Sequence, residues 1–168
     1  MPKVPPLKYL INPNLTDIVF KTPEQNLSIK LDTITSAIEK ANDSIREISN
    51  FSIDIFSLLG MRNLSAFMGE VFVTSLVQVS EGMFFKNPHQ DGYPDLLAMT
   101  NQGLKEWERL KNNLQDKRPF SPFIPGGIEV KATCGSLPTP AVFARRNLKK
   151  PIIGDTRIKY VTEYDWKY

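Results

Sequence analysis

The chain has 168 residues, 41% of them hydrophobic and 23% charged, with a formal net charge of +3. This length fits one domain, and the composition excludes disorder of the whole chain. No apolar run approaches the ~18 residues of a membrane span, and the N-terminal MPKVPPLKYL lacks the apolar stretch of a secretory signal.

The single cysteine, Cys134, cannot form an internal disulfide, so a reducing, cytoplasmic setting is expected. The single histidine, His89, argues against a structural zinc cage, which takes four Cys/His ligands. Any Ser–His or Cys–His catalysis would have to use that one imidazole. Chemistry is therefore expected from carboxylates and lysines.

In chain order, residues 1–30 carry Pro2, Pro5, Pro6, Pro13 and Pro23 with little periodicity and read as an irregular N-terminal arm. A single domain over 31–168 should follow. Residues 33–49 read as an amphipathic helix, with Ile34, Ile38, Ala41, Ile45 and Ile48 at alternating steps of four and three, capped by Asp32 or Thr33. That stripe is a packing face, or alternatively a dimer contact. Residues 64–80 read as a second helix, apolar around most of its circumference and therefore buried. Glu70 lies in its middle, and burying a lone carboxylate is costly. Glu70 must therefore face a cation, a polar cleft or water.

A loop of turn formers, 86–94, leads to a short strand at Asp95–Met99. A helix over 101–116 should place Leu104, Trp107, Leu110 and Leu114 on one face. After Pro119, Pro122 and Pro125, Gly126-Gly127 opens an alternating strand, Ile128–Thr133. Residues 135–157 read as loop, and Ile158–Thr162 as a last strand. Helices mixed with short strands imply an α/β or α+β architecture. Residues 131–160 hold seven Lys or Arg against the single Asp155, so positive charge is concentrated there and suggests a polyanion surface.

Alternation along Ile128–Thr133 puts Glu129 and Lys131 side by side on one face. Pro94-Asp95, at the mouth of the earlier strand, supplies a second carboxylate. Magnesium takes oxygen ligands and keeps several waters, so one or two carboxylates and a substrate phosphate suffice. A metal-bound water is acidified and can attack phosphorus, while a nearby lysine orients it or offsets developing charge.

The residues GYPDLL (Gly92–Leu97) and GGIEVKAT (Gly126–Thr133) are separated as Pro-Asp, 33 residues, then Glu-x-Lys. This resembles the PD-(D/E)xK nuclease superfamily, and in particular type II restriction endonucleases, over roughly residues 64–134. A second acidic-x-Lys run, Asp165-Trp166-Lys167, lacks a glycine-bounded strand around it. The resemblance implies a central mixed β-sheet flanked by helices and Mg²⁺-dependent, site-specific hydrolysis of double-stranded DNA, leaving 5′-phosphates. It implies that Asp95 and Glu129 bind the metal, with the Val130 carbonyl as an extra ligand and Glu70 joining the site. Lys131 would position the attacking water. Arg145, Arg146, Lys149 and Lys150 would contact phosphates or bases. A homodimer is expected for a palindromic site, with no nucleotide cofactor and no membrane.

One departure stands out. Only 37 residues follow Lys131, whereas the family usually continues through another helix and strand, so two readings stand: the N-terminal part of a longer enzyme, or Ile158–Thr162 as the final strand. The alternatives are a repair or recombination nuclease of the same fold, and a non-catalytic DNA-binding or assembly module using the isoleucine helix. His89 and Asp91 read as loop residues, and Trp107 as a packing residue.

Overall fold

Leu96-Leu97-Ala98 is apolar at every position, and the fold uses both of its faces. The structure, a computed structural model, describes residues 16–23 and 25–132. In it these three residues form β4 (Leu96–Ala98), the middle strand of a three-stranded antiparallel sheet with β3 (Phe84–Lys86) and β5 (Gly127–Ile128). The register pairs Leu96 with Lys86 on one side and with Ile128 on the other. Because side chains alternate along a strand, Leu96 and Ala98 enter one core and Leu97 the other. The first core contains Ile29, Ile34, Ala37, Val73, Leu76, Phe84, Ile128 and Val130. The second contains Leu97, Met99, Leu110, Phe120 and Phe123. A continuous apolar run is what a strand buried on both faces requires.

Two helices cover the first face. α1 (Leu31–Ser49) packs against α3 (Met61–Val79), and a four-residue α2 (Ile55–Leu58) lies between them in sequence. The expected isoleucine stripe is largely consumed by this packing: Ile34, Ala37 and Ala41 are buried, and Ile38 packs against the same core. Neither Asp32 nor Thr33 caps α1. The Leu31 N–H instead donates to Asp17 Oδ1 at 3.1 Å, from the far side of a β-hairpin. That hairpin corrects the reading of residues 18–29 as irregular. β1 (Ile18–Lys21) pairs antiparallel with β2 (Asn26–Ile29), and Thr22 closes the turn by bonding Gln25 through both its backbone N–H and its hydroxyl. Pro23 lies in the turn between the two strands.

The second face is covered by α4 (Asn101–Leu110) and the aromatic residues after it. Thr100 caps α4 by accepting the Gly103 N–H at 2.9 Å. Trp107 meets Phe85 edge-on at 5.0 Å between ring centroids, and Phe120 stacks on Phe123 at 6.5 Å, so Trp107 is a packing residue as expected. α4 stops at Leu110 rather than 116, and Leu114 lies outside it and is exposed.

Over the described residues the protein is thus a mixture of helices and two small antiparallel sheets. Among the described residues no parallel pairing occurs, so the mixed sheet of the sequence reading is not reproduced there. No helix among them is long and apolar enough to cross a membrane. The expected strand at Ile158–Thr162 lies outside the described residues, as does Cys134.

Candidate active site

Of the expected strand Ile128–Thr133, whose described part ends at residue 132, only Ile128 pairs among the described residues, and the physical reason is at the partner. Continuing the register of Leu96 with Ile128 would set Val130 opposite Pro94, which has no N–H to give to the ladder. The Val130 N–H instead donates to the Asp95 side chain, at 2.7 Å from Oδ2. A side-chain carboxylate thus takes the place of a strand carbonyl, and it draws Asp95 against the segment that carries Glu129 and Lys131. Gly127 makes the approach of β5 feasible. A Cβ there would lie 1.8 Å from the Leu96 carbonyl oxygen and 2.6 Å from Pro94 Cγ.

Asp95, Glu129 and Lys131 therefore converge, as the sequence reading expects. The Lys131 ammonium pairs with Glu129 Oε1. The other Glu129 oxygen, Oε2, is buried and has no hydrogen-bond partner among the described residues. The Asp95 carboxyl is pushed up to about 6 from its ordinary value of 3.8. Burial is the main cause, and the adjacent Glu129 carboxylate adds to it, against the lowering effect of the Val130 N–H and Lys131. Two carboxylates crowded together, facing one lysine, form a site short of positive charge. Glu129 keeps 19% of its side-chain surface exposed and Lys131 keeps 65%, so the pair opens to solvent on the lysine side.

These features fit a hard divalent cation. The donors are all oxygen, one of them is buried without a partner, and the pair supplies the one or two carboxylates that magnesium uses beside a substrate phosphate. No group of three or more His, Cys, Asp or Glu converges on a common point among the described residues.

Glu70 is the residue that the geometry does not bring in. Its carboxylate pairs with Lys86 of β3, and both side chains stay nearly half exposed. The physical demand read from the sequence, that Glu70 must face a cation or water, holds. The place in a metal site implied by the resemblance is not what the fold gives it. The same helix does run close by: a Cβ on Gly69 would sit 3.5 Å from Ala132 Cβ. Val130, expected to offer its carbonyl to a metal, is engaged through its N–H. Arg145, Arg146, Lys149 and Lys150 lie outside the described residues.

In the loop before Asp95, His89 leans on Phe120 with ring centroids 5.5 Å apart, and Asp91 pairs with Lys117 at 2.6 Å. Two contacts near these residues went unread in the sequence. Lys86, the Glu70 partner, is a strand residue that pairs across elements. Asn87 looks like one more turn former, yet it is buried. Neither has a periodic signature, since both are defined by contacts across the fold.

No protein family, curated protein or solved structure matches the chain.

Proposed function

We propose that this chain is a divalent-metal-dependent nuclease that cleaves double-stranded DNA at a specific sequence, in the manner of type II restriction endonucleases, on a restriction-endonuclease-like architecture. The observation that carries the reading is the convergence of Asp95 with Glu129 and Lys131 across 33 intervening residues. These are the residues of the Pro-Asp and Glu-x-Lys motifs, on the segments that border the adjacent strands β4 and β5. The excess of positive charge over residues 131–160 favours a polyanionic substrate.

Asp95 and Glu129 would hold Mg²⁺, which when bound acidifies a water and offsets charge on the phosphoryl oxygens. The chain's own residues do the rest. The Val130 N–H holds one Asp95 oxygen and so fixes the rotation of the carboxylate. Burial keeps competing water from the inner oxygen of Glu129. Lys131, tethered to Glu129 yet exposed, is placed to donate a hydrogen bond to a water or to a phosphate oxygen. Partly burying the carboxylates leaves them with an unmet demand for positive charge, which favours cation uptake over solvation.

We further propose a cytoplasmic homodimer, two copies presenting equivalent contacts to the halves of a palindromic site. The test is incubation with phage DNA and Mg²⁺, with EDTA and Glu129→Ala as controls. Discrete fragments that disappear in both controls would support the proposal. A smear that disappears in both would favour a repair or recombination nuclease. No cleavage together with no Mg²⁺ binding would leave a binding or assembly module.

A further inference from the structure

Among the described residues, most buried polar side chains bond locally. Ser75 and Ser80 bond carbonyls within one turn, and Thr100 caps α4. Asn87 differs. It is 5% exposed, and its contacts reach across the fold. Its Nδ2 donates to the Pro94 carbonyl and to the Phe120 carbonyl, both at 2.9 Å. Its Oδ1 accepts the His89 N–H at 3.0 Å. Its backbone N–H donates to the Asp95 carbonyl at 2.8 Å. Two carbonyls on one side-chain atom and an N–H on the other fix which end of the amide is which.

The Pro94 carbonyl belongs to the peptide group that enters Asp95, and the Asp95 carbonyl to the one that leaves it. Asn87 therefore grips both peptide planes flanking the Asp95 Cα. With those planes held, the direction in which the Asp95 side chain leaves the backbone is set. Gly92 completes the clamp: a Cβ there would lie 2.5 Å from Asn87 Oδ1, so the loop closes on the amide with no room to spare. A buried amide costs desolvation unless it is hydrogen-bonded, and here both ends of the Asn87 amide are bonded to the segments around Asp95 and Phe120. We propose that Asn87 is a positioning residue that aims the Asp95 carboxylate at Val130 and Glu129 by clamping the backbone on both sides of Asp95.

The consequence for cleavage rests on the nuclease reading, but the positioning itself does not. Two variants separate them. Asn87→Ala removes the side-chain half of the clamp, the bonds to Pro94, Phe120 and His89, and keeps the backbone bond to Asp95. Gly92→Ala leaves the amide in place and displaces it, which keeps the test open if the first variant folds poorly. The readouts are hydrogen exchange of the Val130 amide, Mg²⁺ affinity by calorimetry, and DNA cleavage. In the folded variants the Val130 amide should exchange at least ~10-fold faster, while Ala98 and Met99, bonded to Gly126 and Met83, keep their protection. Mg²⁺ affinity and kcat should fall ~10–100-fold with KM for DNA little changed, as for residues that orient ligands from behind.

Unchanged Val130 exchange and unchanged Mg²⁺ affinity in a folded variant would overturn the proposal, and cleavage by the parent protein would then still stand. Should the parent neither bind Mg²⁺ nor cut while Val130 depends on Asn87, the nuclease reading fails and the positioning relation survives.

Discussion

The Val130 N–H and the Asp95 carboxylate close the gap between the ends of β4 and β5 with one 2.7 Å hydrogen bond. Asp95 is therefore both a structural acceptor and a candidate metal ligand, and these roles are separable by substitution. Asp95→Asn keeps an oxygen for the Val130 N–H but removes the charge. It should fold at least as well as the parent near neutral pH and lose at least ~10²-fold in Mg²⁺-dependent cleavage. Asp95→Ala should lose activity similarly and also about 1–3 kcal/mol of stability, because the Val130 N–H is left without its acceptor. Thermal melts beside cleavage assays check both, and full activity in Asp95→Asn would remove Asp95 from the site.

The raised Asp95 carboxyl makes the metal-free protein pH-sensitive in an identifiable direction. The folded state holds its proton up to about pH 6, whereas an unperturbed aspartate releases it near 3.8. Between these values the native state binds more protons than the unfolded one, so stability falls as pH rises through the window and levels off above it. With solvent screening at this half-buried group, the loss should be on the order of 1–2 kcal/mol. The raised carboxyl is that of Asp95, so Asp95→Asn should abolish most of the slope. Millimolar Mg²⁺ should restore stability above the window and do little below it, where protons compete for the same oxygens. Denaturant midpoints across pH, with and without Mg²⁺, measure this. A metal-independent midpoint above the window would argue against the cation site.

The Glu70–Lys86 pair should matter little for stability. Both side chains are nearly half exposed, and such pairs contribute roughly 0–1 kcal/mol. Glu70→Gln should therefore shift the melting temperature only slightly and leave Mg²⁺ affinity unaltered. A large loss of Mg²⁺ binding in that variant would mean that Glu70 leaves Lys86 for the carboxylate pair when the cation arrives.

What the sequence made legible follows from the range of the interactions involved. The helices at 31–49 and 61–79 and the buried strand at Leu96 announce themselves by local periodicity or by an unbroken apolar run. Asp95, Glu129 and Lys131 were legible because short motifs carry them. The β1–β2 hairpin was hidden by the run of prolines through residues 2–23, of which only Pro23 lies in it. The early end of β5 was hidden because it depends on what faces Val130, namely a proline without an N–H and a carboxylate that replaces it. Asn87 and the Lys86–Glu70 pairing are contacts between distant segments, and the composition of either segment alone does not reveal them.

Gly127 offers the sharpest test that the two strand ends must touch. Alanine there would drive a Cβ to 1.8 Å from the Leu96 carbonyl oxygen, a backbone atom in the middle strand that cannot rotate away. β5 must then move off β4 and take Glu129 and Lys131 with it. Overpacking of this kind costs about 1–3 kcal/mol, which leaves a folded population to assay if the protein has ordinary stability. Cleavage and Mg²⁺ binding should fall far more than the melting temperature, because a carboxylate pair separated by even ~1 Å no longer shares one cation well. Gly60→Ala is the control: nothing lies within 4 Å of its added Cβ, so stability and activity should stay near those of the parent. Equal cleavage by Gly127→Ala and Gly60→Ala would show that the contact between β4 and β5 does not assemble the site.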